Sequence, residues 1–268
     1  MPGRTRDAGL GSIKARIAGR LRQAINDGEY RAGDPLPSTN ELAEAEEAAA
    51  MTVRASFDQL ISEGLVVAVP RKGYFVREQL ALTWHMNAWQ DPDRLDTLPE
   101  DAWTADIEAA GFKGRQDIHI GIDAAARIVA DRPLSEWLSL PSNAKVVARQ
   151  RMRYIGRGTA DEPESIADSY YPHDLVRDTE IMAPESVNTA AILRDLGERF
   201  HRYVDVLVPR IATPEEADRL QLPPATAVLE LVRTAITAAD RPVVAQHMIR
   251  PGRGSHFIYH VTYPDRPT

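Results

Sequence analysis

A chain of 268 residues, 43% hydrophobic and 26% charged, has the make-up of a soluble globular protein with room for two modest domains. Its net charge of -7 and pI near 5.6 exclude binding of a polyanion through bulk charge, so any nucleic-acid contact must rest on a local basic surface. Zero cysteines exclude disulfides and thiolate metal sites, and seven histidines without HxxxH-type pairing give no metal ligand set; no apolar run spans a membrane or follows MPGRTRDAGLG as a signal peptide, which predicts a cytoplasmic protein without a cofactor.

The acid is unevenly spread. Residues 1 to 78 balance at 11 Lys+Arg against 11 Asp+Glu, and the remaining 190 hold 21 against 28, so the net charge lies in the second part. From Ile13 to Ile25 the apolar positions Ile13, Ile17, Leu21 and Ile25 recur every four residues, which predicts a first helix stopped at Asp27-Gly28. "RAGDPLPS" is a turn, after which Ser38 as N-cap and Glu41 three residues on predict a capping box and a short helix through Ala45. A third helix is predicted over Thr52 to Glu63, with Val53, Phe57, Leu60 and Ile61 on one face and Gly64 as its stop. "LVVAVPRKGYFV" then reads as strand, basic turn and strand. Three helices and a hairpin tipped by Arg71, Lys72 and Gly73 are the plan of a winged helix-turn-helix, in which one helix enters the major groove and the wing reaches a phosphate or the minor groove. The competing reading is a winged helix used for protein contacts.

Over residues 12 to 77 the chain resembles the GntR family of bacterial transcription regulators, through "GDPLPSTNELA" (33 to 43), "TVRASFDQLISEGLV" (52 to 66) and "RKGYFV" (71 to 76). The family pattern places an arginine at Asn40 and a Ser/Thr-Arg pair at Ala49-Ala50, both absent here, while Thr52, Val53 and Arg54 keep the Thr-Val-Arg that follows. Each lost bidentate contact to guanine removes about 1–3 kcal/mol of discrimination, and Glu44, Glu46 and Glu47 add repulsion near phosphates, so altered or weak base reading is expected. The DNA-binding candidates are Asn40, which can pair with adenine, and Ser38, Thr39, Thr52, Arg54, Arg71, Lys72 and Gly73, which hold the backbone.

Residues 79 to 98 read as a linker between a winged-helix domain (12–78) and a second domain (99–264), which opens on a helix from about Pro99 to Ala110. The clearest feature beyond it is an internal repeat. "WLSLPSNAKVVARQR" (137 to 151) matches "RLQLPPATAVLELVR" (219 to 233) at a constant offset of 82, pairing Leu138 with Leu220, Leu140 with Leu222, Pro141 with Pro223, Val146 with Val228 and Arg151 with Arg233. "DEPESIADSYYP" (161 to 172) then matches "DRPVVAQHMIRP" (240 to 251). Each half is helix, Leu-x-Leu-Pro turn, strand, turn and strand, which predicts an α+β domain of one antiparallel sheet with approximate twofold symmetry and a cleft.

Strand parity in "KVVARQRMRYI" puts Arg149, Arg151 and Arg153 on one face. Arg149 reads as lying on a solvated strand face salted by acids; Arg151 and its repeat partner Arg233, in an otherwise apolar strand, read as cleft residues converging on a carboxylate or phosphate. Each has a structural alternative: Tyr170 and Tyr171 as packing, Ser169 as a turn cap, Arg250 as a partner of Asp240 or Asp265. His201, His247, His256 and His260 have no triad-like neighbours and read as structural.

Over roughly residues 84 to 263 this module resembles the UTRA effector-binding domain of the HutC-type branch of GntR regulators, through the repeat, "RMRYI", "ADSYYP", "TPEEADRLQLPP" and "DRPVVAQHMIRPGR". The resemblance implies a chorismate-lyase-like fold that binds a small metabolite, often a sugar phosphate or carboxylate, with the effector-binding residues Arg151, Arg153, Ser169, Tyr171, Gln246 and Arg250, to which the repeat adds Arg233. "GRGTADEP" is longer than the family's Asp-Gly-x-Pro turn, and His256 and Gly252 to Gly254 depart from its acidic-Arg-aromatic pattern. Ala- and Arg-rich usage with "WHMNAW" resembles actinobacterial regulators. The function implied is a ligand-responsive repressor, a homodimer on an inverted-repeat DNA operator, with no catalytic residues. Two alternatives stand beside it: a small-molecule binder whose degenerate winged helix works through a partner, and an enzyme of chorismate-lyase-like fold.

Overall fold

The computed structural model describes residues 5–77, 82–88, 91–157 and 160–261, and the chain forms two compact units. The first holds α1 (Thr5–Asn26), α2 (Thr39–Ala45), α3 (Ala50–Ser62) and a hairpin of β1 (Val66–Val69) and β2 (Gly73–Val76). α1 starts earlier than the four-residue periodicity announces, and that periodicity supplies its core side: Ile17, Ala18 and Leu21 are buried against Val53, Phe57 and Leu60 of α3. α2 carries the capping box in both directions, Ser38 Oγ accepting from the Glu41 N–H at 3.3 Å and Glu41 Oε2 accepting from the Ser38 N–H at 2.7 Å. Those bonds from Ser38 hold the exposed Glu41 carboxyl below its usual range. α3 begins at Ala50 behind an N-cap, Ala49, that has no capping side chain. Phe57 stacks on Tyr74 of β2 with ring centroids 3.8 Å apart, which ties α3 to the hairpin.

The second unit is a six-stranded antiparallel sheet in the order β4-β7-β8-β11-β10-β9. Before it come β3 (Leu82–His85), α4 (Pro92–Thr97) and α5 (Ala102–Ala109), so the stretch read as linker contains a strand and a helix. The sheet unit continues with β4 (Lys113–Ala124), the small β5 (Ile128–Val129) and β6 (Arg132–Pro133), α6 (Leu134–Trp137), β7 (Lys145–Arg157), β8 (Ala160–Pro172) and α7 (His173–Val176). A 3-10 turn (Glu180–Met182), α8 (Thr189–Asp195), β9 (Phe200–Ile211), β10 (Ala227–Thr237), β11 (Pro242–Pro251) and β12 (Ser255–Ile258) complete it, with β12 pairing parallel to β3; between β9 and β10 lies α9 (Pro214–Arg219), and residues 212–217 and 222–226 group with the first unit.

The sequence repeat is a structural repeat: β4-β7-β8 and β9-β10-β11 are successive meanders that meet at the β8–β11 pair. Equivalent backbone bonds recur in both halves. The Leu140 N–H donates to Ser135 O as Leu222 does to Ala217 O, Ala144 donates to Pro141 O as Thr226 does to Pro223 O, and Ala125 donates to Ala144 O as Ala212 does to Thr226 O. The x of each Leu-x-Leu-Pro turn takes the left-handed conformation, Ser139 at φ 52° and Gln221 at φ 51°.

The two sheet faces are dressed differently. One packs Val146, Ala148, Tyr170, Val232 and Ala245 against Leu134 and Trp137 of α6. On the other, Val147, Tyr171, Ala235 and Val244 meet Val176 of α7, Ile181 and Leu193 of α8. α5 lies close on that second face because Gly114 leaves room: a Cβ there would stand 2.7 Å from the Trp103 ring.

Candidate functional site

In the winged-helix unit the exposed side of α3 carries Met51, Arg54 and Asp58, with Ala49 and Ala50 exposed at its start. Asn40 on α2, and Arg71 and Lys72 at the hairpin tip, are exposed as well. The tip is a tight reversal in which Arg71 (φ 65°) and Gly73 (φ 107°) both have positive φ and the Lys72 N–H donates to Val69 O at 3.0 Å. Ser38 spends its hydroxyl on the α2 cap, and Thr39 is half-buried. Two expectations need correction. Thr52 is not on the exposed side: it is buried beside Val53 and Ser56, because helical spacing puts it on the core stripe. Glu46 does not face outward as a repulsive acid, since Arg16 and Arg20 of α1 bind its carboxylate at 3.2 and 2.6 Å, leaving its side chain 8% exposed.

In the sheet unit the candidate effector residues gather on one face. Register lines up Ile120, Arg149, Ser169, Gln246, Arg233 and Asp205 as one row across all six strands. Arg151, Arg153, Tyr171 and Arg250 share that face, and all five arginines are buried. Arg149 therefore corrects the sequence reading: it is 1% exposed and donates to the carbonyls of Ile181, Ala183 and Glu185 at 2.5–2.7 Å, capping the turn after α7 in place of water. Arg233 forms a two-point pair with Asp205 at 2.7 and 2.6 Å, and Tyr259 donates its hydroxyl to the same carboxylate at 2.8 Å. Arg250 is bound by Glu164, not by Asp240, and lies over the Trp84 ring at 3.9 Å; Asp265 is outside the described residues. Trp84, Met86, Met248, Arg250 and Phe257 line a small recess.

Arg151 and Arg153 are provided for differently. Arg151 donates to Ala167 O at 3.3 Å and to Ser169 Oγ at 2.9 Å and has no ion-pair partner among the described residues. Arg153 donates Nε to Gln116 Oε1 at 3.1 Å and stands 3.8 Å from Asp101, the N-cap of α5. Asp101 also accepts from Gln116 and Ser186 at 2.6 Å. Burial pushes the Arg153 guanidinium down to about 9; Asp101 and Glu164 oppose this, and Arg151 and Arg250 add to it. Burial likewise raises Asp101, but Arg153, the Ser186 hydrogen bond, Arg151 and the Gln116 hydrogen bond outweigh it and hold the carboxyl below its usual range. Arg153 Nη1, Tyr171 OH, Arg149 Nε and Arg250 Nε are buried without hydrogen-bond partners.

Among the described residues, five buried guanidiniums thus share this face with three carboxylates that pair with them or stand beside them, Asp101, Glu164 and Asp205. A buried surplus of positive charge with orphaned donors is a place where an anion is favoured. Asp101, Glu164 and Asp205 were missed from sequence; an Asp directly ahead of the Ala-Trp-Thr helix start, and an acid alternating within "YVDVLV", were the available signals.

Residues 13–76 match the model of the GntR family of bacterial regulatory proteins, and residues 117–253 match that of the UTRA domain. The chain is 29% identical over 260 residues to the HTH-type transcriptional regulator SCO4628 of Streptomyces coelicolor, covering 93% of this chain and 92% of that one. To the HTH-type transcriptional repressor NagR of Bacillus subtilis it is 25% identical over 264 residues, 95% of each chain. Among solved structures, PhnF of Mycobacterium smegmatis superposes with a TM-score of 0.55 at 19% identity, over 92% of this chain and 100% of that chain, which shows a shared fold. A DNA-binding winged helix followed by a ligand-binding effector domain makes this chain a member of the GntR family of transcription regulators, in its UTRA-bearing, HutC-type branch.

Proposed function

We propose that the protein is a repressor that binds an inverted-repeat operator as a homodimer, and that a small anionic effector, a phosphate or carboxylate, changes its operator affinity. The effector is held on the arginine face by Arg151, Arg153, Ser169, Tyr171 and Gln246, with Arg233 and Arg250 as the paired frame around them. One observation carries this reading: among the described residues Arg151 makes no direct ion pair with a carboxylate, while Arg153 Nη1 and Tyr171 OH are buried donors with nothing to bind. An anion on that face would supply what each of them lacks. Asn40, Arg54, Arg71, Lys72 and Gly73 form the DNA side, and the likeness to NagR, named as a repressor, supports the sign of regulation. No catalytic step belongs to this reading, and its setting is the cytoplasm.

The test is calorimetric titration of the full chain with inorganic phosphate, sugar phosphates and small carboxylates, paired with anisotropy on the DNA upstream of its own gene with and without each anion. One class of anion is expected to bind and to shift DNA affinity, and R153M is expected to abolish both effects while the variant stays folded. Unchanged anion binding in folded R153M would sink the assignment.

A further inference from the structure

The exposed side of α3 offers base edges few hydrogen-bonding groups. Its core stripe is Thr52, Val53, Ser56, Phe57 and Leu60, and opposite it Met51, Arg54 and Asp58 follow one another at helical spacing, Met51 being 71% exposed. Ahead of them Ala49 and Ala50 are also exposed, and none of the side chains of Ala49, Ala50 and Met51 carries a hydrogen-bond donor or oxygen acceptor. Of the acids ahead of this edge, Glu46 is neutralised by Arg16 and Arg20, while Glu44 and Glu47 stay exposed before the helix begins. What the first turn of the helix itself presents is apolar surface, with Arg54 one turn behind it and Asn40 exposed on α2.

In the major groove one base-edge feature is apolar, the C5-methyl of thymine, and the N-terminal residues of the second helix of such a motif are the ones that reach base edges. An asparagine matches the N6/N7 edge of adenine. We infer that Met51, with Ala49 and Ala50, determines specificity by seating thymine methyl groups, so that this regulator reads A·T pairs by contact of apolar surface, Asn40 adding adenine. The inference rests on the winged helix binding DNA and concerns only what it reads.

The experiment starts from duplexes selected out of a randomised library by the full-length protein. The enriched duplex is then compared, by fluorescence anisotropy at fixed salt, with copies in which single thymines are replaced by uracil, a change that removes the methyl and keeps every hydrogen-bonding group. Wild-type protein is expected to lose about fourfold in affinity for each methyl it desolvates. M51A is expected to bind thymine and uracil duplexes alike and to retain the salt dependence, because Arg54 and the wing hold the backbone in both. Equal binding of thymine and uracil duplexes by the wild type would overturn the inference, as would a uracil penalty that persists undiminished in M51A. Selection that enriches no sequence while binding stays steeply salt-dependent overturns it too and leaves DNA binding intact, whereas no binding to any duplex would remove the DNA reading itself.

Discussion

The two halves of the sheet are built from the same repeat and solve the same problem in opposite ways. Arg151 and Arg233 are repeat partners, and both are buried on the same face. Across the strand from Arg233 stands Asp205; across from Arg151, at the matching register position, stands Ile118. The second half is therefore closed by a two-point ion pair, whereas in the first half the Arg151 guanidinium makes no direct ion pair among the described residues and acts on the Asp101 and Asp168 carboxylates only through space. A fold can keep a repeated scaffold and create a binding site by leaving one copy unfinished, because a buried cation that the protein does not pair is stabilised only when something else supplies the negative charge.

The same substitution made in both halves should have very different costs. R233M leaves Asp205 buried without its cation and is expected to cost about 3–5 kcal/mol. R151M removes a charge that makes no direct ion pair and acts on Asp101 only through space, and is expected to cost far less in the ligand-free protein. Denaturant unfolding of the two variants checks this, and equal losses would mean that Arg151 has an internal partner after all. The next largest effect should come from finishing the unfinished half. I118D places across from Arg151 the carboxylate that Arg233 has, and is expected to weaken anion binding about ten- to a hundredfold, the worth of hydrogen bonds to a charged group. Calorimetry with the anion found for the wild type measures it; unchanged affinity would remove Arg151 from the site.

The scaffold was legible in the sequence because the repeat is local. The Leu-x-Leu-Pro turns, the capping box at Ser38 and the alternation of arginines each lie within a short stretch of chain, where hydrophobic period and turn chemistry decide the outcome. The site was half legible. Which face held arginines could be read, but not which arginine was already paired. Asp205 and Glu164 reach their partners across 28 and 86 residues of chain, and Asp101 reaches Arg153 from the start of a separate helix. Arg149 was misplaced for the same reason: the carbonyls that justify burying it belong to the segment beyond α7, and parity alone cannot distinguish a buried cation served by backbone oxygens from a solvated one. In the winged helix, Glu46 looked outward-facing only because the side of α1 that meets it, carrying Arg16 and Arg20, could not be docked from sequence.

The smallest effect tests the same asymmetry at a neutral group. Tyr171 and Arg250 are equivalent positions of β8 and β11 in the repeat alignment. Arg250 is closed by Glu164, whereas Tyr171 is fully buried in an apolar cluster with its hydroxyl unpartnered. A buried hydroxyl without a partner loses its hydration and gains nothing back, so the ligand-free protein carries a penalty at this position. Y171F removes that hydroxyl and keeps the ring that fills the space between Val147, Val176 and Ile181. Its expected effect is therefore divided by ligand state. Without anion the variant should melt about 2–4 °C higher, the equivalent of about 1 kcal/mol for a unit of this size. With saturating anion the order should narrow or reverse, because the wild-type hydroxyl then donates to the ligand and the phenylalanine cannot. A purely structural tyrosine would show the same melting difference with and without anion, and that result would take Tyr171 out of the site while leaving Arg151 and Arg153 in it.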